Sequence, residues 1–122
     1  MKDGPDIARI AALIGDPARA NMLTALMGGR ALTASELAQE AGITAQTASS
    51  HLARLAEGGL IGQRRQGRHR YHQLASAEVA ALLEALMGFA AGAGHLRRRP
   101  GPRDSAMRRA RPSSDEGTQA LG

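Results

Sequence analysis

The sequence predicts a mainly α fold with one two-stranded β-ribbon, in the order α-α-α-α-β-β-α. Three observations carry that expectation. Residues 33–52 read as two short capped helices around a single glycine. Residues 60–74 read as two strands joined at a second glycine, and apolar helical patterns lie before and after these segments.

In chain order, Ile7, Ile10, Ala11 and Ile14 recur at helical spacing, with Pro5 as the expected start of a first helix. Asp16-Pro17 opens a second helix, because proline at the first helical position gives up an N–H that would be unpaired anyway. Met22, Leu23, Leu26 and Met27 form its inner side, and Gly28-Gly29 ends it. Thr33 followed by Glu36 is a capping box, which satisfies two free N–H groups reciprocally. Leu37, Ala38 and Ala41 form the stripe of this third helix. Gly42 supplies the left-handed stop, Ile43 fills the angle between the helices, and Thr44 caps the fourth. In that helix Ala48, Leu52 and Leu55 point inward, while Gln46, Ser49, Ser50, Ala53 and Arg54 remain outside. After Gly58-Gly59, the segments LIGQRRQ and RYHQL form a hairpin joined at Gly67-Arg68-His69. Ser76 with Val79 opens the last helix, whose wide apolar face carries Leu82, Leu83, Leu86, Met87, Phe89 and Ala90.

The outer face of the fourth helix is chemically unusual. Solvated helix faces usually carry Glu and Lys, whereas this one offers small uncharged hydrogen-bonding groups. Such a face suits a helix that enters a major groove and reads base edges, the arrangement of a helix-turn-helix. Gln46, Thr47, Ser49 and Ser50 are the expected base-reading residues. The hairpin that follows carries Arg64, Arg65, Arg68 and Arg70, with no acidic residue between Leu60 and Leu74. These guanidiniums would repel one another without an anion nearby, and phosphates fit that role. Thr44, Arg54, Arg64, Arg65, Arg68 and Arg70 are therefore the expected backbone contacts, with Arg68 at the tip of a wing. A solubilising charged edge is the alternative use of such a ribbon.

Nine basic and eight acidic residues precede Arg97, and the tail from Arg97 onward carries seven arginines against three carboxylates, within an overall charge of +5. The positive charge is thus local, at the hairpin and in the tail, which favours an oriented docking surface. We expect residues 1–96 to form one DNA-binding and dimerisation domain and residues 97–122 a basic, disordered tail. The chain has no cysteine, which excludes disulfides and thiolate metal sites. Tyr71 and Phe89 are its only aromatic residues, which argues against reading single strands by base stacking. No signal peptide or membrane span is legible, so a cytoplasmic location is expected, with no membrane partner. No Ser-His-acid constellation or phosphate-cradling glycine loop appears, and an enzyme is not expected. No cofactor and no metal site are expected either.

So small a domain leaves its first and last helices with more apolar surface than it can cover. Burial at about 25 cal/mol per Å² favours joining two copies there. Ile7, Ile10, Ile14, Leu82, Leu83, Leu86 and Phe89 are the expected dimer interface. A twofold axis would also set two recognition helices about one turn of DNA apart.

Several short motifs in order resemble the ArsR/SmtB family of winged helix-turn-helix repressors, over about residues 7–90. They are Asp16-Pro17-Ala18-Arg19, Leu32-Thr33 with Glu36-Leu37-Ala38, Gly42-Ile43-Thr44, and Gln46 through Leu52. Gly59-Leu60-Ile61 and Gly67-Arg68 with Tyr71 and Leu74 complete the set. The resemblance implies a homodimer on an inverted-repeat operator, with repression relieved by an inducer whose identity the sequence does not give. It places Gln46, Thr47, Ser49 and Ser50 on the family's base-reading face and Arg64, Arg65 and Arg68 on its wing. Many relatives sense metals through cysteines, or through Asp and His on the last helix. Here that helix offers Glu78, Glu84 and, near its end, His95. His51 is expected to pack or to touch phosphate, and His69 and His72 belong to the wing. A nonspecific architectural DNA-binding protein and a winged-helix module for an acidic protein partner are the competing functions.

Overall fold

The computed structural model describes residues 6–93, so His95, the expected boundary at residue 96 and the basic tail lie outside the described residues. Five helices, α1 (Ile7–Ile14), α2 (Pro17–Ala25), α3 (Ala34–Ala41), α4 (Ala45–Glu57) and α5 (Ala77–Gly92), accompany the strands β1 (Ile61–Gln66) and β2 (His69–Leu74). This is the predicted order.

The helix starts follow from side-chain caps. Asp6 caps α1 by accepting the Arg9 N–H; the expected start at Pro5 lies outside the described residues. Asp16 caps α2 with the Arg19 N–H at 3.0 Å, and that bond holds its carboxyl below the usual carboxylate value. The box at α3 is complete: the Thr33 N–H donates to Glu36 Oε1 at 2.9 Å, and the Glu36 N–H to Thr33 Oγ1 at 3.2 Å. Gly42, at φ +69°, lets the Ile43 N–H reach the Ala38 carbonyl at 3.0 Å, which turns the chain into α4.

The core is made by the middle helices. Met22, Leu23 and Leu26 meet Leu37, Ala38 and Ala41 from α3 and Ala48, Leu52 and Leu55 from α4, all buried. Leu60 and Ile61 close it from the start of the hairpin. No residue of α1 is buried, and α5 contributes only Leu83.

β1 and β2 pair antiparallel from Ile61–Leu74 to Gln66–His69, leaving Gly67-Arg68 as a two-residue turn. The expected three-residue connection is thus shortened, because His69 joins the ladder. Gly67 takes φ +63° there, a conformation glycine adopts without steric penalty. Leu32 adds one bridge on the other edge of β2: its N–H donates to the His72 carbonyl at 3.0 Å, and the His72 N–H returns at 2.7 Å. Since Leu32 immediately precedes the α3 cap, this bridge fixes the hairpin to the helix pair.

The expected interface residues divide. Leu83 is 6% exposed and belongs to the chain's own core, and Ile14 packs partly buried against that core. Both placements have one cause: α1 and α5 each turn one edge inward before presenting the rest. The apolar side chains left outward are Ile7 (76% exposed), Ile10, Leu82, Leu86, Met87 and Phe89 (74%).

Candidate nucleic-acid interface

α4 is positioned by Ala48, Leu52 and Leu55, which fix which side faces out. At about 100° per residue, Gln46, Ser50 and Ala53 then lie along its outermost line. Gln46, Thr47, Ser49 and Ser50 are all exposed, as is Arg54. Ser49 lies on the flank toward the hairpin, and Thr47 and Arg54 lie on the other flank. Thr44 accepts the Thr47 N–H at 3.1 Å and donates its hydroxyl proton to Thr47 Oγ1 at 2.9 Å. Thr44 therefore acts first as a cap, and the Thr47 hydroxyl keeps its own proton to donate outward.

The ladder register sorts the arginines. Arg65 sits directly opposite Arg70, on the face that also holds Gln63 and His72. Arg64 sits opposite Tyr71 on the other face, where Tyr71 contacts His69 with ring centroids 6.1 Å apart. An open cleft of about 500 Å³ separates the hairpin from the helix pair. Ser49 and Ala53 line it from α4, Arg65, Arg68 and Arg70 from the hairpin, and Thr33 to Ser35 from the start of α3. The structure thus brings Ser49 together with three of the five expected arginines and leaves Arg54 and Arg64 outside the cleft. Gln63 and His69 line the same cleft and were not among the expected contacts. Strand alternation from Arg65 was the signal that points to Gln63.

Like charges directly opposite on a ladder repel, so the Arg65–Arg70 pair favours an anion in this cleft. His72, 5% exposed, lines it from below with its Nδ1 buried and unpartnered. Burial, and secondarily the Arg70 charge, push its pKa below the ordinary 6.5. Among the described residues no cluster of three His, Asp or Glu side chains could hold a metal ion, and no helix is long and apolar enough to cross a membrane.

A capped helix pair, an outward polar α4 and an arginine-lined wing beside it define a winged helix-turn-helix. A family model described as a helix-turn-helix domain matches residues 14–64. The HTH-type transcriptional regulator YdfF of Bacillus subtilis (strain 168) is 46% identical over 86 residues, 70% of this chain. Those residues span 38% of the length of YdfF. Fragment 1–100 of Mb0332 from Mycobacterium bovis, a possible ArsR-family transcriptional regulator, superimposes with a TM-score of 0.66. It is 26% identical, and the match covers 81% of this chain and all of that one. The crystal structure of a fragment 1–100 from the same organism matches at 31% identity and TM-score 0.59, over 70% of this chain and 90% of that one. The transcriptional repressor BigR from Xylella fastidiosa is 28% identical at a TM-score of 0.60, over 68% of this chain and 84% of its own. The chain belongs to the ArsR family of winged helix-turn-helix transcriptional regulators.

Proposed function

We propose that this protein is a sequence-specific transcriptional repressor, without enzymatic activity, that binds an inverted-repeat operator in the cytoplasm as a homodimer and is released by an inducer. α4 enters the major groove, where Gln46, Ser49 and Ser50 meet base edges and Thr47 stands at the flank. The cleft beside it receives the backbone, with Arg65 and Arg70 at its wall, Arg68 at the wing tip, and Arg54 and Arg64 contacting at longer range. The observation that carries this reading is the cleft itself, which sets Ser49, on the flank of the uncharged α4 face, beside three arginines of the hairpin.

The homodimer is supported by the six apolar side chains left outward on α1 and α5. The Mb0332 fragment, of the same fold, is homodimeric. BigR, another structural relative, is a repressor, which supports the direction of regulation. The test is selection of duplexes from a randomised pool. A repressor enriches a two-fold symmetric site. An architectural protein enriches none, and a module for acidic proteins retains no duplex at low salt.

A further inference from the structure

We propose that Arg19 is a positioning residue for DNA reading, clamping α1 to the middle of α4 through His51 and so setting the angle at which the reading face is presented. The proposal rests on the DNA-binding reading above. Arg19 Nε donates to the Leu13 carbonyl at 2.7 Å, and Nη2 donates to the Ala12 carbonyl at 3.2 Å. Both acceptors belong to the last turn of α1, where a cation also complements the helix dipole. Arg19 Nη1 lies 3.0 Å from His51 Nδ1. Arginine has only donors, so Nδ1 is the acceptor and the ring proton sits on Nε2. That nitrogen faces Asp16 Oδ2 at 3.9 Å, and Asp16 in turn caps the helix that carries Arg19. One network therefore joins the end of α1, the start of α2 and the centre of α4.

A second contact joins the same two helices. Leu13 of α1 lies against Gly58 at the end of α4, where any added Cβ would overlap Leu13 Cδ1. α1 buries no residue fully and rests on the core only through the partly buried Leu13 and Ile14, so these polar and steric contacts add the directional part of what fixes where it sits. The core contacts of α4 are apolar and non-directional, so they constrain rotation about its axis less sharply than a hydrogen bond does. A rotation of about 10° at the roughly 5–6 Å radius of a helix with side chains moves a tip by about 1 Å. That exceeds the spread of hydrogen-bond lengths to a base. The directional Arg19–His51 bond removes this freedom. Because α1 also presents Ile7 and Ile10 outward, the clamp carries the geometry of the α1 face to the reading helix.

The experiment uses the full chain and the duplex that the wild-type protein selects from a randomised pool, against a scrambled duplex. Arg19→Met and His51→Leu should each weaken the selected duplex by about tenfold, the scale of one charge-assisted hydrogen bond. Scrambled-duplex affinity and salt slope should stay within about twofold, since no phosphate contact is removed. The double variant should be no worse than either single one. Arg19→Lys should fail like Arg19→Met, because an ammonium cannot span acceptors on two helices. Without DNA, nitrogen shifts of His51 should report the Nε2–H tautomer in the wild type and a mixture in Arg19→Met. Additive losses, equal losses on both duplexes, or an unchanged tautomer would overturn the clamp. If Arg19→Met does not fold, His51→Leu decides alone, since it leaves the bonds of Arg19 to α1 intact. A wild type that does not distinguish the two duplexes overturns the DNA reading; wild-type preference kept in both variants overturns only the positioning role.

Discussion

Gln46 and Arg68 represent two kinds of contact that separate cleanly in experiment. Gln46 lies on the outermost line of α4, so Gln46→Ala should relax discrimination by ~1–3 kcal/mol at one base pair and leave the salt slope unchanged. Arg68 lines the cleft at the wing tip, so Arg68→Ala should weaken all duplexes alike and lower the slope by about one. Binding titrations at several salt concentrations read both effects. His72 carries a third residue-scale consequence. Its folded pKa lies below the ordinary 6.5, so the unfolded chain takes up the proton first as pH falls. Its contribution to stability is then full above that ordinary value and declines as pH drops through and below it. Urea midpoints should fall between pH 7 and pH 5, and His72→Phe should flatten that fall.

At the scale of elements, the capping chemistry was the most legible feature of the sequence. Thr33 with Glu36, Asp16-Pro17, Gly42 and Ser76 each act locally, within three or four residues, and each stands where expected. Thr33→Ala should accordingly cost about 1 kcal/mol in urea unfolding, as a lost N-cap does. What remained illegible depends on contacts distant in sequence. The Leu32–His72 bridge joins residues forty positions apart through backbone atoms, which no side-chain pattern reports. The Arg19–His51 bond also joins residues far apart in sequence, there through side chains. Strand alternation already puts Arg64 and Arg65 on opposite faces, but which face turns toward α4 depends on how the hairpin docks, and only the structure shows that it is the Arg65–Arg70 face. The hairpin turn came out one residue shorter than expected because His69 can pair as well as turn.

For the whole molecule, the balance between core and outward apolar surface decides how the domain works. The inner helices supply most of the core, and α1 and α5 keep Ile7, Leu86, Met87 and Phe89 facing out. The periodicity of α5 identified an apolar helix, but a wide apolar face does not reveal which edge folds inward. Leu83 does so, and its neighbour Leu82 does not. Phe89→Glu should therefore leave the fold intact, shift sedimentation from dimer to monomer, and weaken binding to a symmetric site far more than to one half-site. The polar face of α4 and the arginines of the wing are expected to grip one duplex together and read it. Competition binding of the selected duplex against its scrambled counterpart, at physiological salt, tests this most directly. A preference of about a thousandfold or more is the expected result; equal affinity for the two would contradict it.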